Sequence, residues 1–90
     1  MFNQTQRGLI MTHTIQRLPV VLRTRGKSRS SHYLDIQQGL FTQAVAIGAR
    51  AVGWPEYETQ ALTAARIAGK SDEEIRALVV KLEAARKAAA

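Results

Sequence analysis

Arg29, Ser30 and Ser31 stand together in the 90-residue chain, directly after Ser28, a residue type suited to cap a helix. A guanidinium and two hydroxyls in the first turn of a helix suit recognition rather than bond-making. Arginine can pair with guanine O6 and N7, and serine can reach a base or a phosphate. Tyr33 lies one turn beyond Ser30, with a phenol able to donate to a phosphate and a ring able to pack on a preceding helix. Arg23, Arg25 and Lys27 come just before this turn, and Arg50 sits beside Gly48 in a second turn. The chemistry offered by these positions is phosphate neutralisation and the reading of base edges.

Catalysis is poorly served. The chain has two histidines and no cysteine, which removes thiolate nucleophiles, disulfides and cysteine zinc sites together. Ser31 and His32 are neighbours in sequence, and adjacent helix residues do not face each other. No enzyme, metal, cofactor or small-molecule substrate is expected.

Charge separates the chain into two parts. Residues 1–54 carry seven Lys and Arg against a single acid, Asp35, whereas residues 55–90 carry six of each. The whole formal charge of +6 therefore lies in the first part, which points to a polyanion-binding face. Hydrophobic residues make up 46% of the chain and aromatics only 6%, so a small core built of Leu, Ile, Val and Ala is expected. No apolar run is long enough to cross a bilayer, and the first residues lack a secretion pattern. A cytoplasmic protein, on the nucleoid when bound, is the expectation.

The elements that position these residues follow from local signals. Leu18–Arg25 reads as a helix with Pro19 in its first turn and Gly26 at its end. Ser28 caps a second helix over Arg29–Gln38, closed by Gly39. Two short helices around a glycine-containing turn are the helix-turn-helix pattern. On the second helix, His32 and Ile36 share a face, and His32 reads as a partly buried histidine. Residues 44–54 form two short apolar runs about a Gly48-led turn, a β-hairpin with Arg50 at its tip. Trp54 anchors it to the core, and its indole N–H needs a partner. A third helix follows Pro55 with Glu56 and Glu58 in its first turn and Tyr57, Ala61, Leu62, Ala65 and Ala68 as its buried stripe. Ser71 to Glu74 spells a capping box. It opens a last helix to about Lys87, with Ile75, Leu78, Val79, Leu82 and Ala85 on one face. That face either packs back on the core or mediates self-association.

Four segments together resemble the AlpA family of phage and prophage regulators, which are related to excisionases. They are Leu18-Pro19-Val20-Val21-Leu22, Ser28-Arg29-Ser30-Ser31-His32-Tyr33, Gly39-Leu40-Phe41 and Gly48-Ala49-Arg50-Ala51-Val52-Gly53-Trp54-Pro55-Glu56. The likeness covers about residues 17–68. It departs from the family pattern at Lys27 and Asp35, where apolar residues are usual, at His32, where an aliphatic is usual, at Leu34, where a basic residue is common, and at Gln43-Ala44, where a proline is common. The resemblance implies a mainly α fold with a small β-hairpin, a MerR-like winged helix-turn-helix with an added C-terminal helix. The expected organisation is a flexible arm over 1–14, the DNA-binding domain over 15–69 and the amphipathic helix over 70–90.

The function so implied is sequence-specific binding of double-stranded DNA to regulate genes of phages or integrative elements, with integrase or RNA polymerase as protein partners. Arg29, Ser30, Ser31 and Tyr33 are the expected base-reading residues, and Arg23, Arg25, Lys27 and Arg50 the expected phosphate and wing contacts. Single modules of this size bury little surface on DNA, so self-association or cooperative binding is expected. One alternative is an excisionase that bends DNA at attachment sites. Another, of a different class, is a basic RNA-binding or protein-interaction module, although sequence-specific RNA modules usually carry more aromatics for stacking.

Overall fold

The computed structural model describes residues 13–89. The arm expected over 1–14 lies almost wholly outside these residues. The chain folds as β1 (Ile15–Gln16), α1 (Leu18–Arg25), α2 (Arg29–Gln37), β2 (Val45–Ala46), β3 (Val52–Pro55), α3 (Glu56–Ile67) and α4 (Asp72–Ala85), with a 3-10 turn over Arg86–Ala89. This is a mainly helical domain of four α-helices with a three-stranded antiparallel sheet in the order β1-β3-β2.

The helix ends follow the local chemistry. Pro19 occupies the first turn of α1, where a missing N–H leaves nothing unsatisfied. Gly26 takes a left-handed φ of 67°, and the Gly26 and Lys27 amides both donate to the Leu22 carbonyl. That closure turns the chain within Gly26–Ser28, and glycine serves there because an L side chain at this φ would be strained. Ser28 Oγ then accepts from the Ser31 amide at 3.2 Å and opens α2. The Ser71 to Glu74 capping box is complete in both directions, a device worth about 1 kcal/mol.

Val21, Leu40, Phe41, Trp54, Leu62, Ile75 and Val79 form the core. Trp54 is fully buried, and its indole N–H donates to the Thr42 carbonyl at 2.9 Å, the partner that the sequence called for. The last helix packs back on this core through Ile75 and Val79. It is further tied to the segment between α2 and β2: Arg76 Nε donates to the Gln38 carbonyl, Arg86 Nη2 to the Gln43 carbonyl, and the Gln43 amide to Glu83. Arg86 also holds the fully buried Glu58 carboxylate through two bonds of 2.7 and 2.8 Å. Glu58 was expected only as a first-turn acid favouring the dipole, and its role is a buried ion pair between α3 and the end of α4.

Three expectations change. Strand β1 was not foreseen, since two residues show no alternation; it exists because Ile15 and Gln16 dock beside Pro55 and Trp54. Ala68 is exposed, because α3 ends at Ile67. Ala85 is exposed as well, and α4 gives way to the 3-10 turn at Arg86 rather than running to Lys87.

Gly53 is where β1 presses closely on β3, opposite Val45 of β2. A Cβ there would collide with Ile15 Cγ2 and stand 3.0 Å from the Gln16 carbonyl oxygen. Gly53→Ala should therefore lose about 1–3 kcal/mol of unfolding free energy in urea titration. Part of that loss should return in an Ile15→Ala background, where the obstructing methyl is gone. Equal losses in both backgrounds would mean that β1 does not press on this site.

Candidate nucleic-acid interface

The α2 helix presents two unlike sides. His32 and Asp35 face inward and are buried, with Ile36 partly so. Arg29, Ser30, Ser31, Tyr33, Leu34 and Gln37 are exposed. Positions 30, 33, 34 and 37 recur at helical spacing and so share one outer face. Ser30, Tyr33, Leu34 and Gln37 line an open groove there together with Ile36 and Gln43.

The four expected base-reading residues thus sit together on the first turn and a half of α2. The Arg29 guanidinium lies 5.8 Å from the centre of the Tyr33 ring, an exposed cation–π contact that leaves its N–H groups unused. Ser31 contributes its amide to the Ser28 cap, and its side chain stays outward. Tyr33 stands 6.4 Å from Trp54, centre to centre. Its ring therefore leans toward strand β3, where packing on the preceding helix was expected.

The expected phosphate contacts divide. Arg23 and Arg50 are exposed and have no side-chain partner among the described residues, and Arg50 stands in the β2–β3 turn as anticipated. Arg17, which sequence reasoning did not single out, is exposed and unpartnered in the same sense. Arg25 is the correction. Its side chain is only 6% exposed, Nη2 donates to Asp35 Oδ2 at 2.6 Å, and Nη1 bonds His32 Nδ1 at 2.7 Å. Its guanidinium lies 4.1 Å from the centre of the Phe41 ring. A cation held on three sides within the fold is not presented to a polyanion. Lys27 is intermediate: Nζ is 2.8 Å from Asp35 Oδ2 while a third of the side chain remains exposed.

The cluster under α2 has a definite protonation pattern. Burial pulls the His32 pKa down to about 4, and the adjacent Arg25 charge pushes the same way. The imidazole is therefore neutral at pH 7. Because Nδ1 accepts from Arg25, the proton belongs on Nε2, which has no hydrogen-bond partner. The ring stands nearly perpendicular to the Trp54 indole, 4.8 Å between centres. Burial works against the Asp35 carboxylate, but hydrogen bonds from Lys27 and Arg25 outweigh it and hold its pKa below the usual value. The signal for this cluster was present in the sequence: Asp35 is the lone acid among residues 1–54.

Among the described residues, no group of three His, Cys, Asp or Glu could hold a metal ion, and no helix is long and apolar enough to cross a membrane.

Residues 14–67 match the family model described as the prophage CP4-57 regulatory protein (AlpA). No curated protein and no solved structure matches the chain.

The buried imidazole makes stability depend on pH. An unfolded histidine titrates near 6.5 and the folded one at about 4, so the unfolded chain takes up the proton first as pH falls. His32 thus leaves stability level above about pH 6.5 and removes it progressively toward pH 4. Urea unfolding at steps across that window should show this decline, and His32→Leu should remove that portion of it. Parallel curves for the two proteins would mean that His32 is not the titrating group.

Proposed function

The chain belongs to the prophage CP4-57 regulatory protein (AlpA) family, a family of non-enzymatic phage regulators, and on that footing we propose that it binds duplex DNA in a sequence-specific way to control genes of a phage or integrative element. In this reading α1, the Gly26–Ser28 turn and α2 are the helix-turn-helix, and the β2–β3 hairpin is the wing. Residues 15–69 are the DNA-binding unit, and the helix beyond residue 70 buttresses it.

The observation that carries the proposal is the division of α2. On its inner side Asp35 and His32 Nδ1 are tied to Arg25, while Arg29, Ser30 and Ser31 at its N-terminal turn are exposed on the outer side. The first turn of the second helix is the part that meets base edges in helix-turn-helix proteins. Arg29 suits guanine O6 and N7, with Ser30 and Ser31 beside it. Arg17, Arg23 and Arg50 supply phosphate contacts, Lys27 shares its charge between Asp35 and solvent, and the Tyr33 hydroxyl reaches a phosphate from the rim. Arg25 has no part in the surface and acts beneath it.

Binding to random duplex DNA and to matched duplex RNA across a salt series tests the reading. With Arg17, Arg23 and Arg50 on phosphates and about 0.9 counterions released per phosphate, the logarithmic slope on DNA should be about −3, and RNA should bind more weakly. Flat, weak binding to both would refute DNA recognition. Arg29→Ala should lower affinity for a selected site by about 1–3 kcal/mol and leave random DNA nearly unchanged; equal losses on both would take Arg29 out of base reading. Arg50→Ala should weaken all sequences alike and make the salt slope shallower by about 1. An unchanged slope would mean that the hairpin tip does not touch a phosphate.

A further inference from the structure

Leu34 is half exposed on the otherwise polar and aromatic outer face of α2. It lies four residues after Ser30 and three before Gln37, and all three line the open groove along the helix. Burial in the core does not account for it, because the inner positions are taken by His32, Asp35 and Ile36. With Arg29 at one end of the same helix, the occupant that fits is a polyanion carrying an apolar group. The major-groove edge of DNA offers one such group, the C5 methyl of thymine. Gln37, one turn further on, carries the amide that bonds adenine N6 and N7 together. Both targets belong to the same kind of base pair.

We infer that Leu34 and Gln37 give this protein a preference for A·T pairs under the second and third turns of α2, Leu34 resting on a thymine methyl and Gln37 bonding an adenine. The inference rests on the DNA-binding reading above and adds which bases are read. Arg29 then selects guanine at the start of the helix and this pair selects A·T further along.

The test begins with a duplex selected from a random library by the full chain. Each thymine is replaced in turn by 2′-deoxyuridine, which removes the methyl and nothing else. One or two replacements should weaken binding about three- to fivefold, the effect of one methyl left in water. Leu34→Ala should bind the thymine and uridine duplexes equally. Leu34→Met, which keeps an apolar tip, should retain the difference. Replacing a neighbouring adenine by 7-deazaadenine should weaken the parent chain, and Gln37→Ala should be indifferent to it. Thermal unfolding close to that of the parent shows that Leu34→Ala is folded. A selected site bound with steep salt dependence, yet indifferent to every uridine replacement, would overturn the inference and leave DNA binding standing. A parent chain with no salt-dependent duplex binding would overturn both.

Discussion

One carboxylate organises the basic half of this domain. Asp35 accepts from Arg25 at 2.6 Å and from Lys27 at 2.8 Å, so the last turn of α1, the connecting turn and the last turn of α2 converge on one oxygen. Removing charges from water costs several kcal/mol each, and here that penalty is offset by dense partnering. Arg25 has Asp35 on one nitrogen, His32 on another and the face of Phe41 against its plane. Such a pair is weak evidence for extra stability and better evidence for a unique arrangement. Only one rotation of α2 about its axis satisfies Asp35 and His32 together, and that rotation turns positions 30, 33, 34 and 37 outward. The outer surface is thus a consequence of how the inner surface is paired.

Trp54 extends the same constraint to the sheet. Its ring meets His32 on one side and Phe41 on another, and its N–H is fixed on Thr42. The hairpin is therefore keyed to α2 through aromatic contacts rather than resting on the helix loosely. From the other end, α4 grips the segment that joins α2 to the hairpin, with Arg76 on Gln38, Glu83 on the Gln43 amide, and Arg86 on both Gln43 and Glu58. A domain this small gains rigidity in that segment from a helix far along the chain, which is why the amphipathic stripe of α4 is only part of its contribution.

The features legible in the sequence were those whose causes are local. Pro19, Gly26, Ser28, Gly39 and the Ser71–Glu74 box mark helix ends by chemistry within a few residues, and the structure has helix ends at all of them. The buried Trp54 and the turn containing Arg50 were legible for the same reason. Strand β1, the inward turn of Arg25 and the burial of Glu58 were not, because each depends on a partner distant in sequence or on another element. Charge counting treats Arg25 and Arg23 alike, yet one is bound within the fold and the other is exposed. Lys27, His32 and Asp35 depart from the family pattern one at a time in sequence. In space they meet around Arg25 in one polar network.

The separation of the two sides of α2 also bears on how such a protein can diverge. Its inner residues are coupled to one another, so a single change there strands a charge or a donor and needs a second change to repair it. Of its outer residues, Tyr33 lies against His32 and Trp54, but Ser30, Leu34 and Gln37 make no side-chain bond to the Asp35 cluster. Substitution at those three positions can therefore proceed while the inner side stays fixed. The outer surface of α2 can thus be altered by independent single steps without passing through unfolded intermediates.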